Sequence, residues 1–105
     1  MKTITLSLKK QWFDMVKAGD KKEEYREIKP YWKTRLRNIV FKTDFSRVYE
    51  GFRRYDRIVF TLGYPKADDT DRRLVYKNPK IRIGTGRAEW GAEYGKNYFI
   101  ITWET

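Results

Sequence analysis

Along the chain the apolar positions change their period several times, and each change marks an element. Residues 3–8 alternate strictly, Ile4, Leu6 and Leu8 against Thr3, Thr5 and Ser7, which predicts a half-buried strand. A helix is predicted over about residues 10–18: Trp12, Phe13 and Val16 recur at helical spacing, Asp14 and Lys17 fall between them, and Gly19 stands at the C-terminal cap. Residues 21–28 are rich in charge yet alternate, and read as a strand with an exposed or cleft-facing side. Pro30 suits the first turn of a second helix, where its missing N–H costs nothing, and Trp32, Leu36 and Ile39 mark that helix's buried face.

In residues 41–55 the positions Phe45, Val48, Tyr49 and Phe52 fit one more amphipathic turn or two, with Gly51 inside it. From Asp56 the period is two, placing Ile58, Phe60, Leu62 and Tyr64 on one side of a strand that Pro65 ends. Residues 66–72 form a polar loop. Residues 74–83 read as one strand, or as two short ones interrupted at Asn78-Pro79. Gly84, Gly86, Gly91 and Gly95 then punctuate a loop, and residues 98–103 form a buried terminal strand. The order β-α-β-α followed by a strand-rich half argues against a doubly wound sheet, which needs helices throughout. A small, mostly antiparallel barrel with helices to one side fits it.

Composition narrows the chemistry. A chain of 105 residues makes one domain. It has no histidine and no cysteine, which excludes Ser-His-Asp and Cys-His nucleophiles, an imidazole base, a structural zinc site and disulfides. Any catalysis must run on Lys, Asp, Glu, Tyr, Ser or Thr, and no metal or cofactor is called for. Residues 98–103 are far short of the ~20 apolar residues of a membrane span, and the alternating N-terminus is not a signal-peptide core. The expectation is a soluble cytoplasmic protein with no membrane partner.

Lys and Arg number 24 against 14 Asp and Glu, a net charge of +10, which favours a polyanionic partner such as nucleic acid or a nucleotide. Surplus charge also serves solubility alone. Position adds to the first reading, because residues 1–37 hold eleven Lys/Arg and five Asp/Glu. A binding face is expected mainly in the N-terminal third.

Several motif matches fail on their physics. Gly84-Thr85-Gly86 lacks the third glycine of a dinucleotide fingerprint. The run Asp68, Asp69, Asp71 lacks the glycine and distal glutamate of a calcium loop. Ser7 and Lys10 have S-x-x-K spacing, but Ser7 lies on a strand and the companion motifs are missing. The run from Gly19 to Arg26 survives as G-x-K-x-x-E-x-R, after a strand and an aromatic-bearing helix. In a strand, side chains two apart share a face, so Glu24 and Arg26 project together and Lys22 joins them if the strand begins that early. Arg26 can grip an anion bidentately, and Glu24 can accept from an exocyclic amine. The alternative is an ion-pair ladder on an exposed strand, worth under ~1 kcal/mol.

This run resembles the signature of the ASCH domain family, a branch of the PUA-like superfamily, most closely over residues 3–28. The resemblance implies a mixed, mostly antiparallel α+β barrel of five or six strands with two or three flanking helices, and a cleft lined by Lys21, Glu24 and Arg26. PUA-like domains commonly bind RNA, and some small ASCH proteins hydrolyse RNA or deacylate a modified cytidine. The leading expectation is an RNA- or nucleotide-binding domain using Lys21, Lys22, Glu24 and Arg26, with Tyr25, Tyr31, Trp32 and Trp90 as rings for stacking. Core packing is the competing role for Trp12, Phe13 and Trp32, whereas Trp90 stands in a glycine-bearing loop.

The alternative is a small hydrolase with Lys21 and Glu24 as its catalytic pair. A Lys base must lose its proton, yet Glu23, Glu24 and Glu27 favour the ammonium. The deacylating members carry Thr where this chain has Glu24, and their later glutamate-bearing helix has no counterpart apart from a guess at Glu89. A protein-interaction module is a third class, and would gain weight if residues 41–55 exposed Phe45 and Phe52 together as an apolar patch. The sequence assigns no protein partner and no oligomeric state.

Overall fold

The computed structural model describes residues 1–105, the side chain of Phe41 apart. The elements are β1 (Thr3–Leu8), α1 (Lys10–Ala18), β2 (Glu24–Glu27), α2 (Pro30–Leu36), β3 (Arg37–Phe41), β4 (Arg47–Phe52), β5 (Arg57–Leu62), β6 (Arg73–Thr85) and β7 (Asn97–Glu104). Short 3-10 turns lie at Thr70–Arg72 and Ala88–Trp90. Five strands form a mixed sheet in the order β1-β5-β6-β7-β2, and β3 pairs with β4 as a separate hairpin. This is an α+β fold with two helices. Among the described residues no helix is long and apolar enough to cross a membrane.

The chain divides into two compact units, one of Met1–Glu24, Arg54–Lys80 and Thr102–Thr105, the other of Tyr25–Arg53 and Ile81–Ile101. In the first, β1 runs parallel to β5 in the register Thr3↔Arg57 to Leu8↔Leu62, and β6 is antiparallel to β5. The alternation of β1 is realised, with Ile4, Leu6 and Leu8 buried. β5 departs from its expected one-sided pattern. Ile58, Val59, Phe60 and Thr61 are all buried, as suits a strand covered on both faces, while Tyr64 is almost fully exposed beyond its end. Phe60 meets Trp103 edge-on at 4.8 Å and Tyr76 at 6.1 Å, and Tyr76 stacks on Trp103 at 5.9 Å. Burial pushes the Tyr76 phenol up from its ordinary pKa. β6 runs unbroken through Asn78-Pro79. Asn78 takes φ 49°, tolerable for Asn, and its amide nitrogen donates to Glu104 Oε2 at 2.7 Å.

In the second unit Tyr25 packs against buried Ala92, Tyr98 and Ile100, and Phe52 meets fully buried Phe99 edge-on. α2 begins at Pro30 as expected but ends at Leu36, because Arg37 is already extended. Ile39 therefore belongs to β3 and not to the helix. Residues 41–55 are likewise no helical turn: β3 and β4 pair antiparallel from Arg37↔Phe52 to Phe41↔Arg47. The register shifts between Arg37 and Asn38, which leaves Gly51 as the extra residue of a bulge. That bulge breaks the two-residue period of β4 and let Phe45, Val48, Tyr49 and Phe52 imitate a helical stripe.

Candidate functional site: the Gly19 to Arg26 segment

The geometry of the segment starts at the end of α1. Gly19 takes φ 82°, a left-handed cap that costs glycine no Cβ clash. The chain reverses there, and the N–H groups of Asp20 and Lys21 both donate to the Met15 carbonyl, at 2.9 and 3.1 Å. Lys21 is thereby aimed inward. It is 1% exposed, one of the largest fully enclosed side chains in the protein, although lysine is among the residues least often buried. Its ammonium donates to Glu24 Oε1 at 3.0 Å and to the Glu23 carbonyl, and lies 5.6 Å from the centre of the Trp12 ring. Glu24 is also buried.

Lys21 and Glu24 thus form one enclosed pair in the first unit, with half-buried Trp12 beside it. Taking two charges out of water costs several kcal/mol each, and their attraction does little more than return it. Removing one partner leaves the other charge enclosed without that counter-ion. Sequence reasoning found Lys21 and Glu24 but gave Trp12 only a packing role. The signal for that neighbour was local: Trp12 and Met15 lie one turn apart on α1, and Met15 is the residue that holds Lys21.

β2 begins only at Glu24, so the alternation argument does not extend to Lys22, which is exposed ahead of the strand. Arg26 is half-buried, its guanidinium 5.0 Å from the centre of the Trp32 ring. Trp32 meets Tyr31 edge-on at 4.8 Å. Arg35, one turn further along α2, lies 3.5 Å over the Tyr31 ring and donates to the Tyr31 carbonyl. Tyr31 is half-exposed. β2 and α2 therefore carry two guanidiniums stacked on two rings.

Tyr25 and Trp90 occupy other settings in the second unit. The Tyr25 ring packs against Tyr98 and against Gly86, where any Cβ would come within 2.5 Å of it, so only glycine fits. The Tyr25 hydroxyl accepts from the Arg87 N–H at 2.9 Å. Trp90 is half-buried at the end of its 3-10 turn with the Arg87 guanidinium 4.8 Å from its ring, and Arg87 also faces Glu89 at 3.5 Å. Phe45 is exposed but Phe52 is half-buried against Phe99, so the two do not form the joint apolar patch that would have added weight to a protein-docking role for this stretch. Compared with protein-family models, with curated proteins and with solved structures, the chain matches none of them.

Proposed function

We propose that the chain is an RNA- or nucleotide-binding domain of the ASCH kind, with a PUA-like barrel, whose contact surface is built on β2 and α2. The observation that carries this reading is the pair of stacked guanidiniums, Arg26 on Trp32 and Arg35 on Tyr31. Guanidinium is the cation best matched to phosphate oxygens, and a ring beside it offers a platform on which an unpaired base can stack. Exposed Lys22 adds charge at the start of β2. In this reading Lys21 does not touch the ligand; its pairing with Glu24 fixes where β2 begins and hence where Arg26 is presented.

Binding of a labelled single-stranded RNA tests it. Affinity should fall steeply between about 50 and 200 mM salt. Arg26→Ala should weaken binding on all sequences alike and reduce the salt slope by about one. Absent or salt-independent binding overturns the proposal.

The second reading, a small hydrolase of a modified nucleoside or of RNA, has one observation in its favour. An enclosed Lys21–Glu24 pair is an arrangement that stability alone does not select, and such pairs gather at functional sites. Incubation with N4-acetylcytidine and with single-stranded RNA decides it, beside the charge-free double variant Lys21→Met/Glu24→Leu. Turnover by the natural chain alone supports catalysis, and equal inactivity of the two proteins discards it.

A further inference from the structure

The β3–β4 hairpin sorts its charges by face. Cross-strand partners share a side, so the register places Ile39 with Tyr49 and Asn38 with Glu50 on opposite faces. Alternation adds Arg37 and Arg47 to the side of Tyr49, and Val40 and Val48 to the side of Glu50. Both carboxylates of the hairpin are engaged within it. Glu50 pairs with Lys42 at 2.9 Å, and Asp44 Oδ1 accepts from the Ser46 hydroxyl at 2.6 Å and from the Ser46 N–H at 3.0 Å. The face bearing Arg37, Arg47 and Tyr49 is left with no acid. Arg47 is exposed and makes no ion pair among the described residues.

The tip adds an independent feature. Phe45 takes φ 65°, a left-handed conformation that is an outlier for a bulky side chain, and is 87% exposed. The turn holds it there: the Phe45 N–H donates to the Lys42 carbonyl and the Lys42 N–H to the Ser46 carbonyl, each at 2.9 Å, beside the Asp44–Ser46 bonds. An apolar ring fixed in water by a strained, fully hydrogen-bonded turn contributes nothing to a core.

We propose that this hairpin is a contact arm for single-stranded nucleic acid, with Phe45 and Tyr49 stacking on bases and Arg47 binding phosphate. It rests on the RNA-binding reading above and extends it to a second, separate segment. A nucleic-acid strand is the occupant because it combines the two chemistries of this face, anionic groups for an acid-free basic strip and planar apolar faces for isolated rings.

The test uses labelled oligouridines of about 4 and about 16 nucleotides, which bracket the footprint of a small single-strand-binding domain. Phe45→Ala should weaken binding of the longer strand roughly tenfold, the loss of one base–aromatic stack, and leave the shorter unchanged. Arg47→Gln should lower the salt slope on the longer strand by about one. Both positions are exposed, and circular dichroism checks that the variants fold. If both hairpin variants bind the longer strand as the natural chain does while Arg26→Ala weakens it, the arm is refuted and the β2–α2 surface stands. If the natural chain binds neither strand, both proposals fall. Phe45-dependent binding to phosphatidylserine vesicles with RNA affinity unchanged also refutes the arm.

Discussion

Aromatic rings do different work in the two units. In the first, Phe60, Tyr76 and Trp103 pack on one another. In the second, rings also pair, Tyr25 with Tyr98 and Phe52 with Phe99, and several carry cations: Arg26 over Trp32, Arg35 over Tyr31, Arg37 over Phe52, Arg87 over Trp90 and Lys96 near Tyr98. Charge follows the same division, thirteen Lys/Arg against nine Asp/Glu in the first unit and eleven against five in the second. A ring packed on rings contributes buried area, whereas a surface ring beside a guanidinium, such as Tyr31 with Arg35, contributes little stability. The same residue types thus build a scaffold in one unit and a surface suited to an anion in the other.

The sharpest way to break that contrast is to delete rings. Phe60 is fully buried between Tyr76 and Trp103, so Phe60→Ala should cost about 3–5 kcal/mol in urea unfolding, transfer and cavity terms together. A loss below about 1 kcal/mol would mean the first unit is not held by its aromatic cluster.

The exception inside the first unit is Trp12, whose ring neighbour is the Lys21 ammonium. Lys21→Met should cost about 3 kcal/mol, because it leaves the Glu24 carboxylate enclosed without its cation. Lys21→Met/Glu24→Leu should recover most of that loss, the two changes being strongly non-additive. A double variant as unstable as the single one would show that the pair contributes net stability and needs no functional explanation.

Much of this scaffold was legible in the sequence, and of the proposed surface Lys22, Arg26, Tyr31 and Trp32 were named while Arg35 was not. Strict alternation gave β1, helical spacing and Gly19 gave α1 and its cap, and Pro30 marked the start of α2, because in each case one local rule acts alone. The pattern failed where a second rule intervened. The extra residue at Gly51 disguised β4 as a helix, and cover on the second face buried Val59 and Thr61 in β5. Lys21 and Lys22 are adjacent and chemically identical, yet one is enclosed and the other exposed. What separates them is the hydrogen bond from the Lys21 N–H to Met15, which alternation does not encode. Arg35 over Tyr31 was missed because an i, i+4 pair reads as ordinary helix surface.

At the exposed rings of α2 in the second unit, ring deletion should be nearly silent in stability. Tyr31 is half-exposed, and Tyr31→Ala removes one surface cation–π contact with Arg35, worth about 0.5–1 kcal/mol. Its effect on RNA affinity should be proportionally larger, since the platform of Arg35 goes with it. A stability loss comparable to that of Phe60→Ala would erase the distinction between the units.

The smallest effect is a pH dependence confined to the first unit's cluster. Burial raises the Tyr76 phenol in the folded state, so the folded protein holds that proton more tightly than the unfolded chain does. The contribution is fully present below the ordinary tyrosine pKa of about 10 and is lost as pH rises from there through the raised folded value. Tyr76→Phe removes the titrating group while keeping the ring against Phe60 and Trp103, and gives up only a long 3.5 Å hydrogen bond to the Val16 carbonyl. The variant should match the natural chain closely at pH 7 and lose stability less steeply above about pH 10. Urea midpoints measured at both pH values check this. Parallel alkaline losses in the two proteins would mean that Tyr76 ionises as freely in the folded chain as in the unfolded one, and that the ring cluster does not shield it.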